Sequence, residues 1–282
     1  MAKKKEDEAL VTIPDAGALA AFDFGEHAGE GKKNMTSADQ AIPFLSVLQA
    51  LSKVISDPTK KIKGAEAGMI MDSVSKQLYD GEDGVIFVPC NTARVFVEWQ
   101  GEPGSGTVVG RFGPSDPVVK AAEKKFSFNK LQTPRGNRLV ETFYVIGMVL
   151  PSSDALVPSG FAVVSFTSTK IKPYKESIGV LRTLPGNAPL YAFKLRLRTK
   201  AETRPKGTSY NLVIMPDGYE GNVFKDGVMA GLIKPDSEQA ASLYKLAKQL
   251  AQDFDNGAAN IAYDTEGSHG GDGADGGENE PY

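Results

Sequence analysis

This chain holds only two histidines and one cysteine, which removes most of the general-base, nucleophilic and metal chemistry that imidazole and thiol groups supply. His27 sits in a Gly-rich polar stretch and His269 in the C-terminal tail, so imidazole-based proton transfer and metal ligation have little to work with. Cys90 ends the apolar run Val85-Ile86-Phe87-Val88-Pro89-Cys90, the pattern of a buried strand residue rather than a nucleophile. Alone, it forms no intramolecular disulfide, which points to a reducing compartment. The Gly-containing stretches 64–68 and 101–106 lack the Gly-Lys-Ser/Thr of a phosphate-binding loop, and Asp80, Glu82 and Asp83 read as a solvated turn. The expectation is a protein that is not an enzyme and needs no cofactor or metal.

What the residue types do support is polyanion binding. Residues 120–138 hold Lys120, Lys124, Lys125, Phe126, Phe128, Lys130, Arg135 and Arg138 against Glu123 alone. Residues 170–206 hold Lys170, Lys172, Tyr174, Lys175 and Arg182, then Lys194, Arg196, Arg198 and Lys200 at alternate positions, then Arg204 and Lys206. A single strand of nucleic acid exposes both phosphates and base faces. Cations neutralise the first, and protruding rings stack on the second for roughly 1–3 kcal/mol per base, with little regard to sequence. Phe126, Phe128 and Tyr174, flanked by lysines and outside an obvious apolar face, are the expected stacking rings. Tyr191 and Phe193 run in phase with Leu195 and Leu197 and belong to the interior, leaving Lys194, Arg196 and Arg198 as a cationic row on the opposite face. Trp99, in phase with Val95 and Val97, is expected to be buried.

These groups need a scaffold, and short β runs dominate the body: 85–90, 94–99, 107–112, 143–150, 162–167, 191–199 and 210–215. Turn-forming residues at 101–106 and 205–207 separate some of them. The run 143–150 is apolar on both faces, as a central strand would be. An antiparallel barrel or curled sheet fits this pattern. One helix is clear over 237–256, with Asp236 as cap, Gln239 in the capping-box position, and Leu243, Leu246 or Ala247, Leu250 and Phe254 at helical spacing. Asn256-Gly257 supplies its stop. Residues 39–54 suit either a helix or a strand. The stretch 120–138 reads as a long loop.

Charge divides the chain further. The net charge of −3 resolves into −2 for residues 1–36, +5 for 37–256 and −6 for 257–282. The expected organisation is a flexible N-terminal segment (1–36), a binding domain (37–256) and a disordered acidic tail (257–282). The tail is Gly-rich and buries too little apolar surface to fold. It carries Asp272, Asp275, Glu278 and Glu280 before the terminal Tyr282, a pattern suited to docking: carboxylates steer toward a basic pocket and the ring anchors. No apolar run has the length of a signal peptide core or a membrane span, so the expected location is the cytoplasm, that of the host cell if the protein is viral.

The layout resembles that of bacteriophage single-stranded DNA-binding proteins: a basic body, a helix, then a Gly-rich acidic tail ending on an aromatic residue. The strings Ile42-Pro43-Phe44-Leu45-Ser46-Val47-Leu48-Gln49 and Ser165-Phe166-Thr167-Ser168-Thr169-Lys170-Ile171-Lys172 are similar to sequences common in tailed-phage replication regions. The resemblance implies a mostly β, α+β fold: an OB-like antiparallel barrel with elaborating loops and a C-terminal helix. It implies sequence-tolerant coating of single-stranded DNA in replication and recombination, with the tail docking a replication or recombination protein. The chain departs from the pattern in ending on tyrosine rather than phenylalanine. Two alternatives stay open: a structural or accessory phage protein whose basic face meets another protein, and a mediator that anneals strands. Oligomeric state is also open.

Overall fold

The structure, a computed structural model, describes residues 43–256 apart from 102, 104–105, 125–130, 183–187, 206, 221–222, 225–230 and 235. The chain divides into units 1–39 and 40–282, and every described residue belongs to the second. The expectations for 1–36 and for the tail therefore fall outside the described residues.

The fold is α+β and mostly β, a curled, half-barrel mixed sheet. Its strands are β1 (Phe44–Val47), β2 (Ile70–Asp72), β3 (Leu78–Tyr79), β4 (Val85–Gln100), β5 (Thr107–Phe112), β6 (Glu123–Lys124), β7 (Leu131–Gln132), β8 (Arg138–Leu150), β9 (Gly160–Thr167), β10 (Leu195–Arg204) and β11 (Gly207–Pro216). The sheet runs β11-β10-β4-β8-β9-β1-β2-β3, with β5 on β4 and β6-β7 on β8. A separate two-residue pair joins β12 (Tyr219–Glu220) to β13 (Val223–Phe224). Among the described residues four α-helices decorate the sheet: α1 (Lys53–Ser56), α2 (Pro117–Ala121), α3 (Ile171–Arg182) and α4 (Glu238–Asp255).

Several sequence expectations need correction. The runs 85–90 and 94–99 form one 16-residue strand, bent by a register shift between Pro89 and Asn91. The antiparallel pattern is broken once, because β1 lies parallel to β9. The ambiguous 39–54 region yields strand β1 and the short α1 within its described part. Residues 191–199 do not form one strand: Leu190–Ala192 is a 3-10 turn and β10 starts at Leu195. Tyr191 accordingly packs edge-on against Tyr244, their ring centroids 5.4 Å apart. Its partners in phase, Phe193, Leu195 and Leu197, are buried as expected, and so is Trp99.

The curl encloses the main core, where Val47, Ile70, Phe87, Val145, Phe166, Leu197 and Ile214 meet from six strands and β2 besides. β8 is central, and from Tyr144 to Leu150 every residue is buried. Gly147 is required there: a Cβ would stand 2.2 Å from the Val88 carbonyl oxygen, so β4 could not approach at its bend. On the outer face α4 covers Ile86, Val88, Met148 and Leu150 with Ala240, Leu243, Ala247 and Ala251. Three alanines bring the helix close, and Leu246 is left exposed. The cap is Ser237 rather than Asp236, its side chain accepting from the Ala240 N–H at 3.1 Å.

The two ends of the sheet are tied by side chains. Gln49, two residues past β1, donates through Nε2 to the Tyr210 carbonyl (2.7 Å) and accepts the Tyr210 N–H on Oε1 (3.0 Å). One amide thus supplies both bonds that a neighbouring strand would give β11. Thr199 of β10 adds bonds to the Gly68 and Gly81 carbonyls at 2.7 and 2.9 Å. Gln49→Glu should cost about 2 kcal/mol at neutral pH, because a carboxylate cannot donate to the Tyr210 carbonyl. Lowering the pH through the carboxyl range restores a donor, so denaturant melts should show the deficit shrinking there.

Candidate nucleic-acid interface

The alternation along β10 does place Lys194, Arg196 and Arg198 on one face, but two of the three are consumed by the fold. Arg196 donates through Nε to Asp217 Oδ1 (2.9 Å), through one terminal nitrogen to the Asp83 carbonyl (2.6 Å) and through the other to Ser153 Oγ (2.7 Å). The second terminal nitrogen also lies 2.8 Å from Asp217 Oδ1, and both side chains are largely buried. Lys194 Nζ donates to the Ser153 and Ala155 carbonyls at 2.5 and 2.9 Å. Burial holds its pKa below the ordinary lysine value, against the opposing pull of Asp217 and Asp154. Arg198 has its Nε buried without a hydrogen-bond partner. The row stitches the β8–β9 turn to β10 and β11, so the donors of Lys194 and Arg196 expected to line a strand path are engaged within the fold.

The second basic stretch begins as a helix, α3. Tyr174, Ser177, Ile178 and Leu181 recur at helical spacing and turn inward, with Tyr174 and Ser177 fully buried. Pro173 lies in the first turn, where a missing N–H breaks no helical bond. Tyr174 is therefore not a stacking ring for a ligand. It is 7% exposed and sits 4.9 Å from both the Phe143 and Phe166 ring centroids. Burial raises its hydroxyl pKa.

The opposite face of α3 carries Lys172, Lys175, Gly179 and Arg182, all exposed. From Lys172 to Arg182 this face runs about 15 Å at the helical rise. Among the described residues Lys172 meets Glu176, one turn on, at 4.0 Å, with 86% of its side chain exposed. Nothing stands within 4 Å of where a Cβ on Gly179 would lie, so a backbone can approach the helix between the cations. Lys175 Nζ lies 5.6 Å from the centroid of the Phe143 ring, and the Arg94 guanidinium lies 5.8 Å from the same centroid. Arg94 is exposed and paired with Glu141, its Nε donating at 2.6 Å. Phe143 thus bridges the helix cations to β4. Lys170, at the turn into α3, is partly buried and not free.

The first basic stretch lies where β4 and β8 run on beyond β10 and β9 and are flanked instead by β5 and β7. It is not one loop: α2 opens before it, β6 and β7 pair within it, and a tight turn follows. Lys124 ends β6, its side chain outside the described residues, as are Lys125, Phe126, Phe128 and Lys130 in the connection to β7. Arg138 starts β8 opposite Trp99, partly buried and not free. Arg135, in the 133–137 turn, has 68% of its side chain exposed and lies 3.8 Å from the fully buried Glu98. Arg94, Phe143 and Glu98 escaped the sequence reading. Arg94 and Phe143 pair across β4 and β8, a register that neither segment alone reveals.

Among the described residues no His, Cys, Asp and Glu group has the geometry to hold a metal ion, and no helix is long and apolar enough to cross a membrane. Burial drives the Cys90 thiol up to about 12, so it is not a nucleophile at neutral pH. The tail positions Asp272, Asp275, Glu278, Glu280 and Tyr282 lie outside the described residues. A family model described as Pam3 phage gp34-like protein matches residues 9–260. No curated protein and no solved structure matches the chain.

Proposed function

The chain belongs to the Pam3 phage gp34-like protein family, and from that premise we propose that it is a non-catalytic phage protein that binds single-stranded DNA, without strong sequence preference, during replication or recombination. One observation carries the reading: Lys172, Lys175 and Arg182 stand exposed on one face of α3, and Phe143 joins that face to Arg94. Such a face offers phosphates several cations that no internal partner fully occupies. The ring-bearing connection 125–130 supports single over double strands, because only unpaired bases offer faces for stacking.

The acidic tail is the proposed competitor for the same cations. It follows α4, whose last residue, Asp255, accepts a hydrogen bond from Asn91 Nδ2 at 2.8 Å. Asn91 is three residues from Arg94, about 10 Å along β4. A Gly-rich segment carrying −6 from this root reaches the cations of Arg94 and α3 and competes with DNA for them. The same carboxylates with Tyr282 dock a replication partner when DNA displaces them.

Filter binding with single- and double-stranded oligonucleotides over a salt series tests both statements. The expected result is preference for single strands, with a log–log salt slope of about −0.7 per phosphate contacted. Deleting residues 257–282 should tighten binding at low salt and change little at high salt. A protein that binds no single strand at low salt would favour a structural role, its basic face meeting an acidic protein.

A further inference from the structure

We propose that the buried Glu98 is a positioning residue that fixes the 133–137 turn so that Arg135 meets a phosphate of the bound strand, an inference that rests on the single-strand reading above. Glu98 is 0% exposed. Its Oε1 accepts from Thr133 Oγ1 at 2.8 Å and from Asn137 Nδ2 at 2.9 Å, the first and last residues of the turn. Its Oε2 is buried with no hydrogen bond, and the Arg135 guanidinium stands 3.8 Å away. A hydrophobic side chain would fill this place without the cost of desolvating a charge. What the carboxylate adds is a grip on both ends of one turn.

The turn closes by itself, which separates its folding from its attachment. Gly136 N–H donates to the Thr133 carbonyl and Thr133 N–H to the Asn137 carbonyl, both at 2.9 Å. Pro134 takes the second position and Gly136, with φ +84, the left-handed one. Glu98 then fastens the closed turn to the sheet. Arg135 at the tip is directed by the carboxylate at a distance too long for a full ion pair, so its donors remain available to a second anion, unlike those of Arg196. Glu98 lies four residues from Arg94 on the same face of β4, about 13 Å away. The turn therefore extends the surface that begins on α3.

Coulomb attraction alone predicts the opposite sign, because removing a carboxylate beside Arg135 should strengthen its hold on phosphate. The full-length chain, with Glu98→Leu, Arg135→Ala and their combination, is titrated with a fluorescent oligo-dT over a salt series. Arg135→Ala should weaken binding several-fold and reduce the salt slope by about 0.7. Glu98→Leu, which removes the acceptor shared by Thr133 and Asn137, should also weaken binding, but add nothing once Arg135 is gone. Thr133→Val, nearly isosteric, should move affinity in the same direction if Glu98→Leu folds poorly. A tighter Glu98→Leu complex, or an equal effect in both backgrounds, overturns the inference.

A second readout needs no DNA. Trypsin cleavage after Arg135, followed by mass spectrometry, should quicken several-fold in Glu98→Leu and Thr133→Val. Failure of the parent to bind oligo-dT would remove the single-strand reading, and with it Arg135's proposed ligand. Unchanged cleavage would overturn the positioning role whether or not DNA binds.

Discussion

Arg196→Glu is expected to destabilise the fold strongly rather than merely weaken binding. The guanidinium joins Asp217, the Asp83 carbonyl and Ser153, residues brought from three separate parts of the chain. A glutamate there would place a second carboxylate against Asp217 and leave the Ser153 and Asp83 groups without their donor. Breaking a buried ion pair by removing one partner costs about 3–5 kcal/mol, and reversing the charge adds repulsion to that. For a domain of this size the midpoint should fall by about 10 °C or more, read by circular dichroism or differential scanning fluorimetry. Lys200→Glu is the control: exposed on the same strand, it should shift stability by about 0.5 kcal/mol or less. An Arg196→Glu protein that melts with the parent would mean the network is dispensable, and would return the β10 row to consideration as a DNA path.

The contrast between Arg196 and Lys175 shows how far the sequence could be read. Period-two alternation correctly separated Leu195 and Leu197 from Arg196 and Arg198, because side-chain direction in a strand is local. It could not show what awaits on the far side. Asp83 lies 113 residues from Arg196 in sequence, and the turn bearing Ser153 lies 43 away. Only the sheet order brings them together. Glu98 failed for the same reason: it alternates with Val97 and Trp99 as an outward residue would, yet Thr133, 35 residues on, covers it.

α3 was legible in principle. Tyr174, Ile178 and Leu181 keep helical spacing, but Lys170, Lys172, Lys175 and Arg182 mark the segment by charge more strongly than by period. The apolar run 143–150 and the C-terminal helix were legible because both patterns are local and strong. The parallel β1–β9 pair and the side-chain closure by Gln49 were not, since each joins segments far apart in sequence.

Reversing the charge of Lys172, Lys175 and Arg182 together is expected to have the largest effect on DNA binding while leaving the fold in place. The three share the exposed face of α3, away from Tyr174, Ser177, Ile178 and Leu181, which hold the helix to the sheet. The stability cost is therefore small. A glutamate at 172 meets Glu176 one turn on, a like-charge pair worth about 0.2–0.5 kcal/mol. Loss of Lys175 forfeits a cation–π contact with Phe143 of about 0.5–1 kcal/mol. Binding faces a much larger change, because three attractive contacts become three repulsive ones. Affinity at low salt should drop by on the order of a hundredfold or more, and the salt slope should shrink by about 2, at roughly 0.7 for each lost phosphate contact. Circular dichroism melts of the same sample keep the two effects apart. A variant that still binds oligo-dT with the parent's salt slope would show that α3 is not the path, and would leave the turn of Arg135 and the 125–130 connection to carry the strand without it.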